Sequence, residues 1–138
     1  MVDIDDIIQE AERIAVVGWS EDTGTYSNRV ARYLADNGYD IIGVNPRYAG
    51  QKVHGNDVVR KIHDVSGVDV ALVFRTPSAV PEHVEDAVAA GVPVFWMQSG
   101  IRNEEAARRL QSDGVTVVQD ECFMARHRRL EREQEATS

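Results

Sequence analysis

Four short runs place polar residues where a nucleotide could be held. The first is VGWSEDTGTYSNRV, in which Gly18 and Ser20 stand at the turn after an apolar run. A dinucleotide fold carries its G-x-G-x-x-G fingerprint there, but Ser20 replaces the second glycine and the fingerprint is absent. Small residues still let a diphosphate approach the backbone, and a following helix N-terminus favours an anion. Trp19, between them, is a candidate to cover the ligand. The second run is VNPR, with Asn45, Pro46 and Arg47 where an NAD-binding chain usually presents an acidic residue to the ribose. A carboxylate would repel a ribose phosphate, whereas arginine pairs with phosphate in a two-point geometry. The pattern therefore points away from NAD and towards NADP or the 3′-phosphorylated ribose of coenzyme A.

The third run, FRTPSA, puts Arg75 directly after an apolar stretch, an unusual place for a charge without a partner, followed by the rigid bend of Thr76 and Pro77. The fourth, WMQSGI, offers the amide of Gln98, the bare backbone of Gly100, and Ile101. Beyond them, DECFM carries Cys122, the chain's one cysteine. Asp120 and Glu121 disfavour its thiolate, and Arg126, Arg128 and Arg129 favour it, so an unreactive thiol and a redox-active one both stay open. The histidines at 54, 63, 83 and 127 have no spacing that suggests a metal site, and no G-x-S-x-G elbow is present. No metal and no catalytic residue is expected.

These runs need a scaffold that brings their loops to one edge, and the rest of the chain supplies its pattern. Val- and Ile-rich segments at 13–18, 39–45, 68–74, 92–97 and 115–119 read as buried parallel strands. Helical stretches are expected at 4–12, 26–37, 57–64, 81–90, 103–112 and 125–135. Their punctuation is apt: Gly38, Gly91 and Gly114 follow three of them, and Asn103 can cap another. Such alternation implies an α/β fold, a Rossmann-like three-layer αβα sandwich around a five-stranded parallel sheet. The expected strand order is 3-2-1-4-5, with the ligand at the switch point between the first and fourth strands.

The 138 residues fit one domain over 1–138, with 131–138 as a polar tail. Apolar residues make up 43% and charged ones 28%, an ordinary globular balance with no apolar run near the ~20 residues of a membrane span. A net charge of −8 argues against nucleic-acid partners. The acidic start lacks a signal-peptide layout and a single cysteine makes no internal disulfide, so the expected setting is the cytoplasm.

In their order and placement, VNPR, VFR-x-PSA, W-x-QSGI and D-x-C-x-M resemble the small stand-alone CoA-binding proteins. These are Rossmann-like domains related to the CoA-binding part of the succinyl-CoA synthetase α subunit. The resemblance runs from Ile4 to Leu130. It implies CoA or acyl-CoA across the carboxyl edge, with the diphosphate near Gly18 and Ser20. Asn45 and Arg47 would take the nucleotide end, and Arg75, Thr76 and Pro77 the next stretch. The chain lacks the phosphate-accepting histidine segment of a CoA ligase, so the implied role is a non-catalytic carrier or sensor. A different class, an NADP-dependent oxidoreductase or a redox-sensing nucleotide-binding module, would need a catalytic base over the nicotinamide, and no residue is placed for it.

Overall fold

A computed structural model describes residues 3–137; Met1, Val2 and Ser138 lie outside the described residues. The chain opens with α1 (Ile4–Glu10), capped by the Asp3 carboxylate, which accepts the Asp5 N–H at 2.8 Å. There follow β1 (Arg13–Val17), α2 (Tyr26–Asp36) and β2 (Asp40–Val44), then a small antiparallel hairpin of β3 (Lys52–Val53) and β4 (Asn56–Asp57). The second half alternates β5 (Val70–Val73), α3 (Val84–Ala90), β6 (Val94–Met97), α4 (Glu104–Ser112), β7 (Thr116–Val118) and α5 (Phe123–Thr137).

β1, β2, β5, β6 and β7 form one parallel sheet, and their side chains alternate between two apolar layers. Ile14, Val16, Leu72 and Trp96 face one layer, closed by Ile8 of α1, Leu34 of α2 and Phe123 of α5. Ala15, Val17, Val73, Phe95 and Met97 face the other, closed by Ala87 of α3 and Leu110 of α4. A strand buried on both faces has no polar side to show. This is why these segments read as continuous apolar runs.

The strand order corrects the expectation. Counted along the chain, the five strands lie 2-1-3-4-5 rather than 3-2-1-4-5. The outer edge of β2 is already occupied: Val59 donates to the Gly43 carbonyl and the Asn45 N–H donates to Val59, both at 2.9 Å. The third strand therefore crosses back to pair with β1. Asp69 holds it there, its carboxylate accepting the N–H groups of Glu12 and Arg13 at 2.9 Å each. The switch point lies between the first and third strands, β1 and β5, not between the first and fourth.

The same packing removes the helix expected at 57–64. Residues 58–59 are extended along β2, and only a 3-10 turn, Ile62–Asp64, remains. Asp86 of α3 stabilises that turn by accepting the Ile62 and His63 N–H groups at 2.7 and 3.1 Å. The helix expected from Pro81 starts at Val84, and Pro81 lies inside a preceding 3-10 stretch, Pro77–His83. The C-terminal helix runs through Thr137, so the described part of the expected tail is helical and exposed.

Candidate functional site

At the carboxyl ends of β1, β5 and β6 the chain leaves the sheet in three loops that stay at one level. The ladder carries them: Phe74 donates to the Val17 carbonyl at 2.9 Å and Gln98 to that of Val73 at 3.3 Å. With the first turn of α2, these loops enclose an open groove of about 500 Å³. Gly18, Ser20, Arg75, Thr76, Pro77, Gln98 and Ile101, all singled out in the sequence, line it together.

Gly18 is required for that junction. It has φ +87°, and a β-carbon there would come within 2.8 Å of the Phe74 carbonyl oxygen and 3.1 Å of Arg75 Cδ. Only a bare backbone lets the first loop turn off against the end of β5. The rest of that loop is tied to itself and to α2. Ser20 Oγ accepts the Asp22 N–H, the Ser20 carbonyl accepts from the Asn28 side chain, and Thr25 caps α2 by accepting the Asn28 N–H. α2 brings a positive dipole end to the groove, and its first turn has no acidic residue, unlike those of α1, α3 and α4. The nearest fixed carboxylate in the loop before it is that of Asp22, three residues ahead of the Thr25 cap, where it accepts the Gly24 N–H at 2.9 Å.

The second loop stands beside this groove rather than in its wall. Asn45 fixes it: its Oδ1 accepts the Arg47 N–H at 3.0 Å and its Nδ2 donates to the Trp19 carbonyl at 2.9 Å. Pro46 opens a short 3-10 turn, and Arg47 projects outward with its guanidinium 5.4 Å from the Tyr48 ring centre. Arg47 forms no ion pair with a carboxylate among the described residues.

Trp19 does not cover the groove. Its side chain is 3% exposed, lies against Gly43 of β2 and meets Tyr48 edge-on at 5.6 Å. The β2 residue beneath the ring is Gly43, where a β-carbon would come within 3.2 Å of the indole, so the glycine leaves room for it in the core. Gln98 meets the groove from the interior, 1% exposed, with its Oε1 accepting the Phe123 N–H at 3.0 Å and its Nε2 without a hydrogen-bond partner among the described residues. Gly100 lies exposed outside the lining, its N–H donating to Asp120 at 2.6 Å. Arg75, half-buried, does have partners: Nη2 is 3.4 Å from Glu82 and Nη1 is 3.3 Å from His83 Nε2.

Sequence reasoning passed over Thr25, Tyr26, Ser27, Phe74 and Ser99, which complete the lining. Tyr26 and Phe74 meet edge-on at 5.7 Å and form an apolar wall. The phenol of Tyr26 reaches across to the Cys122 thiol, whose sulfur also accepts the Ala125 N–H at 3.4 Å. Burial first, and the contact with Cys122 second, push the Tyr26 pKa up to about 12, so it remains a neutral phenol at physiological pH. Cys122 is half-buried behind Tyr26 rather than in the lining itself. An aromatic next to a helix cap on the first loop was the available signal for Tyr26. Among the described residues no group of histidines, cysteines and carboxylates could hold a metal ion, and no helix is long and apolar enough to cross a membrane.

A parallel sheet covered by helices on both faces, with a groove at its switch point bounded by a glycine turn and a helix N-terminus, is a Rossmann-like α/β architecture. Residues 12–128 match the CoA binding domain family, and the chain belongs to that family. It is 36% identical over 126 residues to the "Uncharacterized protein YneT" of Bacillus subtilis (strain 168), covering 91% of this chain and 92% of that one. Among solved structures, a Thermus thermophilus protein superposes with a TM-score of 0.88 at 35% identity, covering 94% of this chain and 99% of the other. The dinucleotide-forming acetyl-coenzyme A synthetase 1 of Ca. Korarchaeum cryptofilum matches with a TM-score of 0.70 at 28% identity, over 83% of this chain but 27% of that enzyme. The likeness is therefore to one part of that enzyme.

Proposed function

We propose that the protein binds coenzyme A or an acyl-CoA in the groove at the carboxyl edge of the sheet and serves as a non-catalytic carrier or sensor. The observation that carries this reading is the family match over 12–128, which spans every loop of the groove. The chemistry of the groove agrees with it. The turn at Gly18 and Ser20 and the N-terminus of α2 suit the diphosphate. Arg47, with no carboxylate against it among the described residues, suits the 3′-phosphate. Arg75, Thr76 and Pro77 line the next stretch, and the Tyr26–Phe74 wall gives the pantetheine arm an apolar surface. The sensor variant of the role rests on Cys122, the thiol beyond that wall.

A thermal-shift panel of CoA, acetyl-CoA, NAD, NADP and ATP tests the reading. A ligand at 100 times its Kd adds about 2.7 kcal/mol, which raises the melting point of a domain of this size by roughly 5–15 °C. The expected result is such a shift with CoA and none with NAD. An NAD or NADP shift as large as that of CoA would return the protein to the oxidoreductase class. In the same series, incubation with CoA disulfide should give a protein–CoA adduct at Cys122 by intact mass; a protein that binds CoA yet stays unmodified is a carrier and not a thiol sensor.

A further inference from the structure

Arg75 stands at the groove, yet its guanidinium is already engaged. It sits between the carboxylate of Glu82 at 3.4 Å and the imidazole of His83 at 3.3 Å, both contributed by the turn that follows β5. Arginine can only donate, so Nε2 of His83 must be the acceptor and the ring must be neutral, with its proton on Nδ1. We propose that Glu82 and His83 set the ligand affinity of the groove by occupying Arg75: an anionic ligand engages Arg75 by displacing Glu82, and a proton is taken up at His83 as it does so. The proposal rests on the reading that the groove holds the anionic part of CoA. It adds to that reading an internal competitor and a proton linkage.

The charges around His83 fix the sign. Burial, and next the Arg75 guanidinium, hold its pKa below the usual histidine range. Glu82 and Asp86 act in the opposite direction, but Asp86 of α3 is already bound by His63 and by two backbone N–H groups of the Ile62–Asp64 turn. When a ligand phosphate draws Arg75 away, His83 loses its cationic neighbour and gains an anionic one. Its pKa then rises in the complex. Affinity should be greatest below the ordinary histidine range and decline as pH rises through it. Protonation of the ligand's own phosphate works against this trend in the same range, so the informative quantity is the difference between the native protein and His83→Gln.

Calorimetric titration of the full chain with CoA tests both halves. An exposed pair such as Arg75–Glu82 corresponds to about 2–5-fold in an equilibrium constant. Glu82→Gln should tighten CoA by that factor, and the gain should vanish in an Arg75→Gln background, because Glu82 acts through that side chain. An equal gain in both backgrounds would reduce Glu82 to general repulsion and overturn the proposal; so would an unchanged or weakened affinity of Glu82→Gln. Across pH 5.5–8 (about one unit below to 1.5 above the usual histidine pKa), native affinity should fall relative to that of His83→Gln, and parallel profiles would overturn the proton linkage. A native protein that binds no CoA would instead refute the underlying function, an outcome distinct from CoA binding that ignores both substitutions.

Discussion

Arg47→Ala is expected to weaken CoA binding by about 10–150-fold while leaving dephospho-CoA nearly untouched. The range follows from a charge-assisted hydrogen bond, worth about 1.5–3 kcal/mol when one partner is removed. The native protein should show the same preference for CoA over dephospho-CoA, since the two ligands differ only in the 3′-phosphate that Arg47 is proposed to hold. The structure makes the comparison clean. Arg47 is exposed, touches the Tyr48 ring and pairs with no carboxylate among the described residues, so its removal exposes no buried charge and leaves the core intact. The turn itself is held by the Asn45 side chain and the Pro46 ring, which the substitution does not alter. Equal weakening for both ligands would mean that Arg47 acts through the general field or on the diphosphate. No weakening for either would leave it a surface arginine and transfer the phosphate to Arg75.

A second large effect is expected from Gly18→Ala, this time on stability. A β-carbon at this position meets the backbone oxygen of Phe74 at 2.8 Å, an atom of the β5 end that cannot rotate away. The left-handed φ of +87° adds about 1–2 kcal/mol for any residue with a β-carbon, and overpacking adds about 1–3 kcal/mol. The expected loss is about 2–5 kcal/mol, read as a lower urea midpoint with an unchanged denaturant slope. Because the first loop and the Arg75 stem must move apart to make room, CoA affinity should fall as well. A variant of native stability would mean that the loop relaxes freely and that its close approach to β5 is incidental.

The two substitutions mark what could and could not be read from the chain. The strands were legible because a segment buried on both faces needs only its own composition to declare itself, as Val70–Val73 and Val94–Met97 do. The groove was legible through its loops, since Gly18, Ser20, Arg75, Thr76, Pro77, Gln98 and Ile101 do converge. The strand order was not legible, because it is decided by contacts distant in sequence. Asp69 clasps Arg13 across 56 residues, and Val59 closes the edge of β2 to the third strand. Trp19 was misplaced for the same reason: a tryptophan in a polar loop looks like a ligand cover until the glycine at position 43 is found beneath it. The Tyr26–Cys122 contact spans 96 residues and joins two stretches that carry no shared local signal.

The central claim, that CoA occupies the groove at the β1–β5 switch point, is tested most directly by mapping amide chemical shifts of the 15N-labelled protein during titration with CoA. The expected result is a contiguous set of saturable shifts at Gly18, Ser20, Ser27, Arg75, Thr76 and Ile101, extending to Arg47 with CoA and withdrawing from it with dephospho-CoA. Shifts confined instead to the cavity between α1 and α5, around Tyr39, His127 and Leu130, would contradict the account, as would a spectrum that CoA leaves unchanged.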